Sequence, residues 1–294
     1  MVGVTFAGQP IGTALAGPVV GLIAVATSWR VSFFVIAIIG LIWTGFWWVL
    51  MRERPADHRR VSPDERRLIE ASRGTHVPLV HVSGGSILDY LKKPSVLAIA
   101  AVLFSANYVL YFLLSWLPSY LMETFHLDIT RMSIISVIPW LCGALGYICG
   151  GMLSDFLFKR TGNGVFVRKM VAVLGLSMAA LCVVLTAIAS SVTMAILLIA
   201  IANFFLLMTP QAGWALVQEI VPATRVGAVG GFCHLLSNIS GIIGPSVTGF
   251  AVQYGGGYTS SFLLAGAVAI LGAVTVSLFL RTSPSLTVFQ AIVK

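Results

Sequence analysis

Eight stretches of this chain are apolar over the length of a membrane crossing, and that repetition leaves few folds open. They lie near residues 4–27, 31–51, 95–122, 131–157, 168–189, 192–217, 226–253 and 258–280. A helix needs about 20 such residues to span a hydrocarbon core ~30 Å thick. In lipid every backbone N–H and C=O must find its partner inside the protein, which only helices and closed barrels achieve, and runs of this length select helices. Only 10% of the residues are charged and 58% are apolar, whereas a soluble domain carries about 25% charged residues. The fold class expected is an all-α membrane protein with eight transmembrane helices.

The basic residues orient those helices. Of the 18 lysines and arginines, nine lie between the second and third runs: Arg52, Arg54, Arg59, Arg60, Arg66, Arg67, Arg73, Lys92 and Lys93. Lys159, Arg160, Arg168 and Lys169 follow the fourth run, and Arg225, Arg281 and Lys294 fall on the same side by alternation. Only Arg30 and Arg131 land opposite. Positive charge concentrates on cytoplasmic loops, so both termini are expected in the cytoplasm of a cell with this protein in its inner membrane. The net charge of +8 is thereby a topology signal, and nucleic acid is excluded as a partner. Cys142, Cys149, Cys182 and Cys233 sit singly in apolar runs with no metal-type spacing. No cofactor or metal is implied.

The stretch 52–94 is the one long polar segment. Ser62-Pro63-Asp64-Glu65 has the pattern of a helix start, with a capping serine and proline at the first helical position. The segment reads as a connector between two helical bundles. The runs on either side of it also contain a repeat. GPVVGLIAVATSWRVSFFVIAIIG from Gly17 and GPSVTGFAVQYGGGYTSSFLLAG from Gly244 share Gly-Pro in a glycine-rich helix, a tight turn and a Ser-Phe start to the next helix. Such internal symmetry marks transporter folds. Runs seven and eight close a six-helix unit that begins with run three. If runs one and two close an equivalent unit, four helices are expected to precede Met1.

One charged sentence interrupts the apolar text: GGMLSDFLFKRTGNGVFVRK, residues 150–169. Gly151, Asp155, Lys159, Gly162, Arg168 and Lys169 resemble the signature between paired cytoplasmic helix ends in major facilitator superfamily transporters. The resemblance implies helices 5–12 of a 12-helix architecture. Residues 1–51 are then the last two helices of the N-terminal bundle, 52–94 the inter-bundle loop, 95–281 the C-terminal six-helix bundle and 282–294 a cytoplasmic tail. It also implies a conformational latch made of Gly151, Asp155, Lys159, Arg168 and Lys169. Its glycines permit close helix approach, and Asp155 is expected to meet the positive end of the helix beginning at Met1, near the backbone of residues 1–5. Arg168 and Lys169 are expected to face water or to pair with Asp155.

A narrower resemblance follows from Asn107, Tyr108, Tyr111, Phe112, Trp116, Leu117, Pro118, Tyr120 and Leu121, from Gly213, Trp214, Glu219 and Pro222, and from Asn238, Gly241 and Pro245. Together these are similar to the anion:cation symporter family, which implies import of sugar acids or other small organic carboxylates coupled to an ion, in the first place a proton. Polar side chains are costly in hydrocarbon and normally face a bundle interior or an aqueous cavity. On that ground Gln9, Asn107, Tyr108, Tyr111, Gln211, Trp214, His234 and Asn238 are the expected substrate-binding residues. Spacing adds that Asn107 with Tyr111, and His234 with Asn238, are four apart and share a face. Asn203 is expected to hydrogen-bond between helices, and Trp140 to pack.

The ten acidic residues all fall near run ends or in loops, and no lysine or arginine lies mid-run. The titratable carboxylate and the cation that a proton-driven anion importer needs sit, by the resemblance, on helices one and four of the family. No cluster of nucleophile, base or metal ligands lies within the apolar runs, so an enzyme is not expected. An organophosphate or drug transporter of the same superfamily stays open, as does a membrane sensor on the same fold. The expected partners are the small organic anion, its coupling ion and the lipid bilayer, with the chain a monomer.

Overall fold

A computed structural model describes residues 2–52, 61–74 and 87–280. Among these residues the chain forms twelve helices: α1 (Val2–Ala26), α2 (Trp29–Leu50), α3 (Pro63–Gly74), α4 (Ile87–Leu91), α5 (Pro94–Phe125), α6 (Ile129–Ile135), α7 (Val137–Thr161), α8 (Gly164–Thr186), α9 (Val192–Leu207), α10 (Thr209–Ile220), α11 (Ala223–Tyr254) and α12 (Tyr258–Phe279). They contain eight segments long and apolar enough to cross a membrane: α1, α2, α5, α6 with α7, α8, α9 with α10, α11 and α12. This is a multi-pass membrane protein. Residues 53–60 and 75–86 of the loop 52–94, and the tail 282–294, lie outside the described residues.

The count of eight agrees with the sequence, but two of the spans are broken. Ser136 separates α6 from α7, and Met208 separates α9 from α10. Pro139 and Pro210 stand just past the breaks, within the first turn of the following helix. A proline has no N–H to donate to the preceding turn and its ring crowds the carbonyl four residues back, so the helix axis restarts there.

The chain divides into two compact units, one holding residues 1–21 with 86–294, the other residues 22–85. In the second unit α2 buries only Ser32. Its C-terminal end is rich in tryptophan (Trp43, Trp47, Trp48), and Arg52 donates to the carbonyls of Trp48 and Met51 at 3.1 and 2.9 Å. A cation on the last carbonyls of a helix complements its dipole. The start of α3 is capped as the sequence predicts, with Glu65 N–H donating to Ser62 Oγ at 3.2 Å.

In the larger unit α5 is the central post, packed against α10, α11 and α12. Phe112 and Tyr120 on α5 and Phe262 on α12 form an edge-to-face aromatic stack, with centroids 5.1 and 4.9 Å from Phe262. Ile99, Leu121, Leu176, Ile199, Leu206 and Leu216 fill the space between the helices. Where helices cross, small residues let backbones approach, as membrane packing favours. A Cβ on Gly146 of α7 would lie 3.0 Å from the Phe204 Cα of α9, closer than side chains tolerate. Asn203 braces the same crossing by donating from Nδ2 to Pro139 O at 2.9 Å, and Trp140 is buried packing.

Candidate functional site

Helix α11 has three faces, and they locate the site. Cys233, Ser237, Ser240 and Thr248 are buried against the bundle. Leu235, Ile242, Ile243 and Phe250 are exposed and apolar, the face a bilayer would cover. Between these stripes runs a third, accessible one, on which the polar His234 and Asn238 are followed by Gly241 and Pro245, spaced four, three and four apart as one side of a helix requires.

Residues of α5 and α10 converge on this third face. The Tyr111 hydroxyl donates to Asn238 Oδ1 at 2.8 Å, and Asn238 Nδ2 donates back to His234 O at 2.8 Å. Asn107 Nδ2 donates to Ser237 Oγ at 3.3 Å, and that hydroxyl donates to His234 O at 3.0 Å. The Tyr111 ring lies against Gly241, where a Cβ would come within 2.9 Å of it. Trp116 Nε1 donates to Pro245 O at 3.2 Å. From α10, the Trp214 indole lies beside Gly230 and 5.5 Å from the His234 ring, tilted 51°. Asn107, Tyr111, Trp214, His234 and Asn238 are thus brought together. Ser237 and Trp116 join them unannounced by the sequence, since a serine or tryptophan in an apolar run is ordinarily packing.

Three expected members stand apart. Tyr108 is buried within the α5–α11 interface, where its ring lies against Gly244 and its hydroxyl near Thr248. It packs the two helices together rather than lining the accessible face. Gln211 is also buried, and it donates from Nε2 to Tyr147 O. Its amide oxygen sits where a Cβ on Gly3 or Gly151 would come within 3.1 and 3.0 Å. Gln211 therefore joins α1, α7 and α10 at a crossing, which corrects the expectation that it lines a cavity with Trp214. The two are three apart on α10, but one turns to α7 and the other to α11. Gln9 is exposed on α1, with its carbonyl accepting from Thr13 at 3.1 Å, and makes no bond to the α5–α11 cluster.

The charged stretch is also rearranged. Gly151 is close to Gly3, its added Cβ falling 3.7 Å from the Gly3 Cα, so the expected close approach of α7 and α1 runs through the glycines. Asp155, one turn on, is exposed and has no hydrogen-bond or ion-pair partner among the described residues. The expectation that Arg168 and Lys169 face water or pair with it is corrected. Arg168 forms an ion pair with Glu219 of α10 and donates to Ala215 O at 3.1 Å. Lys169 Nζ donates to Ser277 O and Leu280 O at 2.7 and 2.9 Å, capping the end of α12. Lys159, in the last turn of α7, is exposed. A carboxylate does meet a helix start here, but it is Glu219, packed against Gly164 in the first turn of α8. Sequence reading missed this pair because 51 residues separate its members.

Known proteins can now be set beside this geometry. The sequence matches the Major Facilitator Superfamily over residues 1–245 and 164–292. It is 41% identical to a hexuronate transporter of Bacillus subtilis (strain 168) over 283 residues, 96% of this chain and 65% of that protein. A probable galactarate/D-glucarate transporter of Escherichia coli (strain K12) is 29% identical over 276 residues, 90% of this chain and 61% of the relative. A probable sulfoacetate transporter of Cupriavidus necator is 29% identical over 286 residues, 97% of this chain and 65% of the relative. The chain spans just under two thirds of the length of these relatives. It belongs to the major facilitator superfamily, a family of carriers rather than enzymes.

Proposed function

We propose that the protein is a secondary transporter of small organic anions of the sugar-acid class, driven by proton symport and working by alternating access. The observation that carries this reading is the accessible polar and aromatic face formed by Tyr111, Trp214, His234 and Asn238. Indole and phenol rings offer flat apolar walls with hydrogen-bonding tips, while asparagine both donates and accepts. That combination suits a polyhydroxylated carbon chain. Relatives named for hexuronate, galactarate and glucarate transport supply the cargo class.

Gln9, on the repeat-related helix α1, is the contact proposed from the opposite side of the cargo. Residues 1–51 serve as the closing helices of the first bundle and 95–281 as the second bundle, joined by 52–94. The rearranged charged stretch works as a brace at the cytoplasmic side, with both termini in the cytoplasm and a monomer in the inner membrane. The test is uptake of labelled D-glucuronate and D-glucarate by the full-length protein in proteoliposomes under an inward proton gradient. Uptake above that of empty vesicles, abolished by a protonophore, is expected. Uptake indifferent to the protonophore would reject the symport step, and no uptake of any sugar acid would reject the cargo class.

A further inference from the structure

We infer that His234 is the group through which this bundle meets the negative charge of the cargo, holding its carboxylate as an imidazolium against Trp214. The inference rests on the organic-anion reading above and deepens it. A carboxylate leaving water needs a charged or strongly donating partner. Among the described residues of α5 to α12, the basic side chains lie at helix ends, and the two nearest the bundle interior are already engaged, Arg168 by Glu219 and Lys169 by the end of α12. His234 is the one histidine within a described span, and it stands on the accessible polar face rather than in the packed one.

The surroundings fit that task. The His234 carbonyl accepts from both Asn238 and Ser237, so the backbone beneath the imidazole is fixed while its ring stays accessible. Trp214 presents its indole to the ring at 5.5 Å, and a cation near an indole is stabilised by the ring's quadrupole. One turn on, Asn238 and Tyr111 are placed for hydroxyls of the same molecule. The charged and titratable groups on the elements packed here have partners of their own. On α10, Glu219 is taken by Arg168; on α5, Tyr111 is bonded to Asn238 and Glu123 accepts from Tyr258 of α12. The short α4, which packs on α11, carries Asp89, and Tyr90 under the Lys93 ammonium at 4.0 Å. On α11 itself Arg225 lies more than two turns away. Histidine changes charge between about pH 5 and 8. An anion that prefers the imidazolium is therefore held best on the acid side, and less well as pH rises through that range.

The experiment is equilibrium counterflow of labelled D-glucuronate by the full-length protein, with equal pH on both sides so that no proton gradient contributes. The wild-type half-saturation concentration is expected to rise about tenfold between about pH 5.5 and about pH 8, the effect of one charge-assisted hydrogen bond. His234→Gln should hold the high-pH value throughout, and His234→Lys, which keeps the cation, the low-pH value throughout. A Gln variant that retains the wild-type pH dependence overturns the inference while leaving the transport reading intact. A Lys variant that binds no better than Gln at about pH 8 overturns it independently. Wild-type protein that exchanges no sugar acid at any pH overturns the transport reading itself.

Discussion

Removing Arg168 should destabilise the protein mainly by stranding Glu219. The two side chains are only 26% and 23% exposed, and the second carboxylate oxygen of Glu219 is buried with no hydrogen-bond partner. Gly164 lies so close that no larger residue could stand there without displacing the carboxylate. Breaking a fully buried pair by deleting one partner costs about 3–5 kcal/mol, whereas exposed pairs contribute about 0–1 kcal/mol. A pair about three-quarters covered should fall between, so Arg168→Ala is expected to cost about 2 kcal/mol. Adding Glu219→Gln removes the stranded charge and should recover more than half of that loss.

The chain carries its own reporter: Cys182 and Cys233 are free and buried, so once the more accessible Cys142 and Cys149 are replaced by serine, a thiol-reactive fluorophore labels the chain only as the bundle opens. Heating the full-length protein with the dye should show Arg168→Ala opening about 3 °C below wild type. The double variant should open closer to wild type. If Arg168→Ala opens with wild type, or Glu219→Gln lowers the transition further, the pair is not what holds this carboxylate.

Two further outcomes follow from distances already given. Gly146→Ala presses a Cβ onto the Phe204 backbone, which cannot rotate away as a side chain can; a loss of about 1–3 kcal/mol is expected, read as a lower opening temperature in the same thiol assay, and an unchanged temperature would mean the α7–α9 crossing yields. Tyr111→Phe deletes the donor to Asn238 at 2.8 Å. With the Asn238 amide no longer held and the hydroxyl no longer offered to the cargo, a loss of about 1 kcal/mol of binding should raise the half-saturation for D-glucuronate several-fold, the opening temperature falling by only about a degree or two, and an unaltered half-saturation would remove Tyr111 from the site.

The spans were legible in the sequence because length and apolarity alone decide them, and so were the shared faces of Asn107 with Tyr111 and of His234 with Asn238, because polar residues four apart on an apolar helix point the same way; that Tyr111 would bond Asn238 was not. Nor was the facing of Gln211. Three apart on α10, it and Trp214 sit about 60° apart around the helix, enough for Gln211 to meet Gly3, Gly151 and Tyr147 while Trp214 turns to His234. The partner of Arg168 was hidden for a different reason. A basic residue beside an acidic one in the same stretch invites local pairing with Asp155, and only the packing of α8 on α10 brings Glu219 nearer.

The least legible property was which side of α1 and α7 is buried, because the usual signal is inverted on these two helices. On α7 the buried positions are Pro139, Trp140, Gly143, Ala144, Gly146, Tyr147 and Gly150, while Leu141, Leu145, Met152 and Phe156 are exposed. On α1 the buried residues include Gly3, Ala7, Pro10, Ala14 and Gly21, and Val4, Ile11 and Leu15 are exposed. Lipid solvates leucine as well as another helix does, so association comes from close backbone contact and polar pairing, not from hiding large apolar groups. Read that way, the spacing of small residues predicts the packed face and the large aliphatics the lipid face. A polar residue on neither, as at His234 and Asn238, then stands out as the surface proposed above to meet the cargo.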